Sequence, residues 1–325
     1  MQISGSEFQS AVDYIKEHDD FLIVSHVQPD GDAVSSTLAV GWLLSCLGKK
    51  YTMVNEGPIP RRMSYLWNAD QIVDLSSTPL ERTYKFVICV DCADFKRVGR
   101  TKEYFAEDAV LLNIDHHPTN DAYGSINLII PHAAATAEIL FDLIACAGVE
   151  LDKESATALY TGMLTDTGGF RYSNTSPKVM AAASKLLEFG IDGPWISEHL
   201  LEQMTYPQMR ILSIALNKLQ LTEDGKIAWV IITDEDMREA GAIHEDLEGI
   251  VNYPRNITGV EVGMLFKVIH DQAVKVSMRS AGKVDVADVA QSFGGGGHVR
   301  AAGARLETTP DEAVTAVVER VKQAL

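Results

Sequence analysis

The stretch Val110–Asn120, VLLNIDHHPTN, decides how this chain is read. Val110, Leu111, Leu112 and Ile114 give the near-continuous hydrophobicity of a buried strand, and the run ends in Asp115, His116, His117 and Pro118. An acid and two imidazoles delivered to a sheet edge suit a metal ion. Taken alone, the same tripeptide serves equally well as a polar loop with an aspartate helix cap. The neighbouring strands decide between these readings.

Working outward, Phe21–His26 (FLIVSH) is a short apolar strand that ends in histidine, and VQPDGDAVSS follows it. Ala33–Leu47 is helical and is stopped by Gly48. Strand, loop and helix make the first unit of an alternating α/β fold. Asp30 and Asp32 flank Gly31 at the helix start, where Asp32 by itself reads as a cap. Phe86–Val90 (FVICV) is another buried strand and runs into Asp91. Tyr51–Asn55, Gln71–Leu75 and Ser125–Ile130 are further strands, with a short helix at Arg61–Trp67. Phe8–His18, Ala133–Cys146, Ser155–Leu164 and Lys178–Phe189 are helices, and the third of these runs into Thr165-Asp166-Thr167-Gly168-Gly169.

The expected fold class is α/β: a parallel-sheet domain over 1–190, a connector over 191–208 and a smaller α/β domain over 209–325, with a cleft between the domains. In the second domain the pattern predicts helices at Met209–Leu219, Asp285–Phe293 and Pro310–Leu325, and a strand at Ile227–Ile232. Val260–Ile269 and Ala273–Ser280 read as a hairpin around His270-Asp271-Gln272.

Across 325 residues, Lys and Arg number 28 against 45 Asp and Glu, a formal charge of −17. Such a surface disfavours long nucleic acid, whose binding draws on many cationic contacts. A short anionic ligand in a local pocket remains compatible, with divalent metals supplying positive charge. The longest clear apolar run, Leu38–Leu47, is about half of what a membrane crossing needs. MQISGSEFQS lacks the order of a secretion signal, so a cytoplasmic location is expected, with no membrane partner. Cys46, Cys89, Cys92 and Cys146 lie in apolar segments and read as reduced core thiols. Cys89 and Cys92 form a CxxC, but no second pair accompanies it, which argues against zinc.

In a parallel α/β sheet, ligands gather at the carboxyl ends of the strands. His26, Asp30 and Asp32 arrive there after one strand, Asp91 after another, and Asp115, His116 and His117 after a third; Asp166 comes from a helix-to-loop junction. So many carboxylates brought together without counter-charge would be costly. Two divalent cations relieve that repulsion, and oxygen ligands with some imidazole and no thiolate suit Mn²⁺ or Mg²⁺.

HVQPDGDA (His26–Ala33), the strand-end Asp91, DHHP (Asp115–Pro118) and TDTGGFRY (Thr165–Tyr172) resemble the four motifs of the DHH phosphoesterase superfamily. RSAG (Arg279–Gly282) and GGGGHVRAAGA (Gly294–Ala304) resemble its associated C-terminal domain, so the likeness spans nearly the whole chain. The resemblance implies that His26 and Asp30 hold one Mn²⁺, that Asp32, His116 and Asp166 hold the other, and that Asp91 bridges them; Mg²⁺ and Co²⁺ are the alternatives. It also implies that His117 faces the substrate phosphate and that Asp115 orients the imidazoles. Arg279, Ser280, Gly295, Gly296, Gly297, His298 and Arg300 would bind substrate, the glycine run forming a backbone nest for an anion. A flexible turn is the plainer reading of the glycines, and an exposed surface arginine that of Arg300 and Arg255. His132 reads as a polar residue at a helix start.

The activity implied is two-metal hydrolysis by water of short oligoribonucleotides, from dinucleotides to pentanucleotides, and of 3′-phosphoadenosine 5′-phosphate (pAp). The second domain would close on the first and grip a substrate end. The alternatives are a phosphodiesterase acting on cyclic-di-AMP or linear dinucleotides, an inorganic pyrophosphatase, and a nucleotide sensor without turnover. A homodimer stands open beside a monomer.

Overall fold

The computed structural model describes residues 5–270 and 272–325. The chain divides into two compact units, Met1–Gln203 and Met204–Leu325.

The first unit runs α1 (Gly5–Glu17), β1 (Phe21–Val24), α2 (Gly31–Cys46), β2 (Tyr51–Asn55), β3 (Val73–Asp74), β4 (Tyr84–Val90), β5 (Phe105–Asp115), β6 (Ile126–Ile129), α3 (Thr136–Ala147), α4 (Lys153–Asp166), α5 (Pro177–Leu187) and α6 (Gly193–Leu201). Its six strands pair in the order β3-β2-β1-β4-β5-β6, and every pairing is parallel. A sheet covered on both faces explains the unbroken apolar runs: all four β1 residues are buried. One face packs Ile23, Ile88, Leu112 and Ile114 against α1 to α4. The other gathers Leu22, Val24, Val54, Val87 and Cys89 with Val98.

Val98 belongs to a 3₁₀ segment, Phe95–Tyr104, broken at Gly99, which the sequence pattern did not predict. Two expected elements shrink: Arg61–Trp67 keeps only a 3₁₀ turn at Arg61–Met63, and the third strand is reduced to Val73–Asp74. Cys89 and Cys92 are buried, as core thiols should be, but Cys46 and Cys146 are exposed. Both exposed thiols sit in the last turns of their helices: Cys46 at the end of α2, which is buried all round as far as Leu44, and Cys146 near the end of α3.

The second unit runs α7 (Tyr206–Asn217), β7 (Gln220–Leu221), β8 (Ile227–Ile232), α8 (Asp234–Ala240), α9 (Asn252–Arg255), β9 (Val262–His270), β10 (Ala273–Ser280), α10 (Val286–Gln291), β11 (Gly296–His298), β12 (Ala301–Leu306) and α11 (Pro310–Lys322). The sheet order is β11-β12-β10-β9-β8-β7, antiparallel except for β8 with β9. Val262, Met264, Phe266, Val274, Val276 and Met278 pack on α10 and α11. Asp271, at the centre of the expected hairpin turn, lies outside the described residues. No described helix is long and apolar enough to cross a membrane.

Candidate metal centre

Three adjacent strands set the site. β1 and β4 are neighbours although β2 and β3 intervene in sequence, so the chain switches direction between them, the place where α/β sheets bind ligands. His26 follows β1, Asp91 follows β4, and Asp115 ends β5. The Asp91 amide donates to the Ile114 carbonyl at 3.0 Å, which ties the β4 end to β5. Asp91 holds φ at 52°, in the left-handed region that costs most residues free energy and recurs at functional sites.

The Asp91 carboxylate stands between two sets of candidate ligands. Its Oδ2 lies 3.6 Å from His26 Nε2, which is also 3.6 Å from Asp30 Oδ2. Its Oδ1 lies 3.5 Å from His116 Nε2, itself 3.1 Å from Asp166 Oδ2. The groups His26/Asp30/Asp91 and Asp32/His116/Asp166 each bring their ligand atoms within 4.8 Å of one another, as does Asp91/His116/His117.

The donor chemistry fits divalent cations. His26 Nδ1 faces the Val27 carbonyl at 2.9 Å and His116 Nδ1 the Ala133 carbonyl at 3.3 Å. A carbonyl accepts only from a protonated nitrogen, so in both rings Nε2, turned toward the carboxylates, is the nitrogen available to a cation. The site contains no thiolate, and oxygen with imidazole suits Mn²⁺ or Mg²⁺. Asp32 and Asp91 are almost fully buried. Burial, with the charges of Asp91 and Asp166, holds the Asp32 carboxyl well above its usual range. Burial and the Asp30 charge push Asp91 up to about 6, against the pull of His117, His116 and His26. Burial opposes a charged ring at His26 and His116, yet hydrogen bonds donated by the rings to Asp30 and Asp166 raise both. Carboxyls straining to keep protons are what cations would relieve.

Asp115 reaches His117 rather than a ligand: its Oδ1 lies 2.7 Å from His117 Nδ1. Its Oδ2 accepts from Asn120 Nδ2 at 2.6 Å, and Asn120 in turn accepts from Asn113 at 2.9 Å. Asp32 has a second task beyond the one expected. Asp30 caps α2, through the Ala33 amide, while Asp32 accepts the amides of Thr136 and Ala137 at 2.6 and 3.1 Å. It thus caps α3, whose own cap position is Ala135.

In the second unit, two of the four glycine amides are already taken. The Gly294 and Gly295 amides are committed to the Gln291 and Ala290 carbonyls at the end of α10. Gly296, Gly297 and His298 pair as an edge strand with Gly303, Ala302 and Ala301. Ser280 is buried and donates to Glu261 Oε1 at 3.1 Å. That carboxylate also takes the amides of Gly282, Lys283 and Val284, and so shapes the loop after β10. Arg279 pairs in register with Ala301, as His298 does from the other side, and the Ser280 amide donates to the Arg300 carbonyl. Arg279, His298 and Arg300 therefore share one region of this sheet. Arg300 is exposed, Arg255 half-buried and His132 an exposed turn residue. Thr136, Asn120 and Asn113 went unnoticed in sequence, where nothing but side-chain type marks them.

Fold and site together define a two-unit α/β protein with a candidate dinuclear metal centre at the switch point of a parallel sheet. Residues 20–163 match the N-terminal domain of the DHH family and residues 237–325 the DHHA1 domain. The chain belongs to the DHH family. It is 36% identical, over 93% of its length and 89% of the relative's, to the bifunctional oligoribonuclease and PAP phosphatase NrnA of Thermus thermophilus. The protein of that name from Bacillus subtilis is 26% identical over 90% of this chain and 91% of its own. Among solved structures, an exopolyphosphatase-related protein from Bacteroides fragilis superposes with a TM-score of 0.90 at 27% identity, covering 99% of this chain and 97% of that one. RecJ of Thermus thermophilus in complex with Mn²⁺ shares the fold, with a TM-score of 0.56 at 14% identity, covering 99% of this chain and 55% of RecJ.

Proposed function

We propose that this protein is a metal-dependent phosphoesterase that degrades short oligoribonucleotides to mononucleotides and dephosphorylates pAp to AMP. The names of its full-length relatives support the substrates. The observation that carries the chemistry is the single buried carboxylate, Asp91, with one oxygen toward His26 and the other toward His116.

His26, Asp30 and Asp91 would hold one cation; Asp32, His116, Asp166 and the shared Asp91 would hold the second. When bound, such a pair supplies Lewis acidity that activates water and neutralises charge on the phosphate. The protein's own groups do the rest. The Asp115 carboxylate fixes the His117 ring through Nδ1–H, which leaves Nε2 to be presented to a phosphate oxygen; it donates there as the doubly protonated, cationic ring. A donor aimed at developing negative charge stabilises the transition state. Arg279, His298 and Arg300 of the second unit are assigned to substrate binding. Ser280 and the glycines shape the backbone that carries them. A net charge of −17 favours short substrates over long RNA.

The test is product release from a labelled panel of pAp, a diadenylate, a pentanucleotide, a long RNA and cyclic-di-AMP, each with Mn²⁺ and with EDTA. Mn²⁺-dependent release from pAp and the short RNAs is the expected result. Cleavage confined to the cyclic dinucleotide would move the protein to nucleotide signalling.

A further inference from the structure

We propose that Thr136 is a positioning residue for the metal centre, holding Asp91 with its hydroxyl and Asp32 with its main-chain N–H. The inference rests on the metal-site reading above but not on the choice of substrate.

Thr136 is fully buried and opens α3. Its Oγ1 lies 3.0 Å from Asp91 Oδ1, and its amide nitrogen 2.6 Å from Asp32 Oδ2. One residue thus contacts the carboxylate shared by both ligand sets and a carboxylate that belongs to the second set alone. A threonine hydroxyl inside a helix commonly turns back to a carbonyl one turn earlier. At the first helical position no such intrahelical carbonyl exists, so the hydroxyl is available to Asp91. Branching at Cβ restricts χ1, which makes it a stiff donor.

The oxygen it contacts matters. Oδ1 is the Asp91 oxygen that faces His116 Nε2 at 3.5 Å and His117 Nδ1 at 3.7 Å, while Oδ2 faces His26. A carboxylate free to rotate about its Cβ–Cγ bond would exchange these faces. With Oδ1 fixed by the hydroxyl, each oxygen stays turned toward its own set. Groups that orient ligands in this way typically change metal affinity by about 10- to 100-fold when removed.

Thr136→Val keeps the shape and the Asp32 contact and deletes only the hydroxyl; Thr136→Ala deletes it with less bulk; Thr136→Ser retains a donor. Mn²⁺ binding to each full-length protein is followed by calorimetry and by the electron paramagnetic resonance of free and bound Mn²⁺. Thermal melting in EDTA reports folding separately. The expected result is a loss of Mn²⁺ affinity of about 10- to 100-fold in the valine and alanine variants, with serine close to wild type. In turnover, kcat at limiting Mn²⁺ falls while KM for substrate holds. Wild-type affinity in whichever hydroxyl-free variant folds, or an equal loss in the serine variant, overturns the assignment. Failure of the wild-type protein to bind Mn²⁺ would instead remove the metal site on which it rests.

Discussion

A β-carbon added to Gly162 would lie 2.6 Å from Oδ1 of Asp32. Gly162 sits in the middle of α4, where glycine costs roughly 1 kcal/mol of helix propensity relative to alanine. The space it leaves is taken by a carboxylate assigned to a metal. Gly162→Ala should therefore gain nothing from propensity. Crowding of this kind costs about 1–3 kcal/mol, and the displaced Asp32 should weaken Mn²⁺ binding. A Mn²⁺ titration of activity is expected to shift to higher concentration, with turnover partly recovered at saturation. An unshifted titration would mean that Asp32 does not hold the ion.

Asp91→Asn should separate stability from activity. The asparagine is nearly isosteric and removes a carboxylate that burial, with the Asp30 charge, makes costly to ionise, pushing it up to about 6. In EDTA above neutral pH the variant should melt at a higher temperature than wild type, yet turn over no substrate with Mn²⁺ present. Melting with and without EDTA, paired with an activity assay, checks both halves.

The metal-free protein should lose stability as pH rises. Asp91 keeps its proton in the folded state up to about 6, whereas an unfolded aspartate releases it near 3.9. His26 and His116 likewise hold theirs above their ordinary value of 6.5. In each case the folded state binds more protons than the unfolded state, so the contribution of these groups is lost as pH climbs from about 4 through the histidine range; Asp30 and Asp115, whose carboxyls are held below the usual range, act with the opposite sign and lose their contribution as pH falls into the acid range. Urea titrations in EDTA at a series of pH values measure this slope. Saturating Mn²⁺ should flatten or reverse it, because the ligand groups bind metal only after losing their protons.

His117→Gln should lower kcat by about 10²–10³, the range seen when one oxyanion donor is lost. Mn²⁺ stoichiometry should stay at the wild-type value, because the ring is tied to Asp115 and is assigned to the phosphate. Loss of a bound ion in this variant would make His117 a ligand, in keeping with the grouping of Asp91, His116 and His117.

Arg279→Ala should raise KM for pAp and short RNA while Mn²⁺ binding is unchanged. Steady-state kinetics with each substrate distinguishes this from a structural role, in which metal binding and melting temperature would fall together.

The parallel sheet and its strand-end candidate ligands were legible because burial on both faces leaves β1, the Phe86–Val90 part of β4 and the end of β5 largely apolar, so that His26, Asp91 and the acid-histidine run stand out at their ends. What supports those ligands was not legible. Thr136 lies in an alanine-rich stretch, and its contacts with Asp32 and Asp91 span 104 and 45 residues. No local pattern announces a helix capped from so far away. The segment Phe95–Tyr104 is polar and broken at Gly99, so hydrophobic periodicity had nothing to register. The glycine run is a related case: composition does not announce that the Gly294 and Gly295 amides are taken up at the end of α10 or that Gly296–His298 form an edge strand.

The two-ion centre is tested most directly by anomalous diffraction from crystals of the wild-type protein grown with Mn²⁺. Two peaks flanking the Asp91 carboxylate are predicted, one beside His26 and Asp30, the other beside Asp32, His116 and Asp166. A single peak between His116 and His117, or none near Asp91, would contradict a centre bridged by that carboxylate.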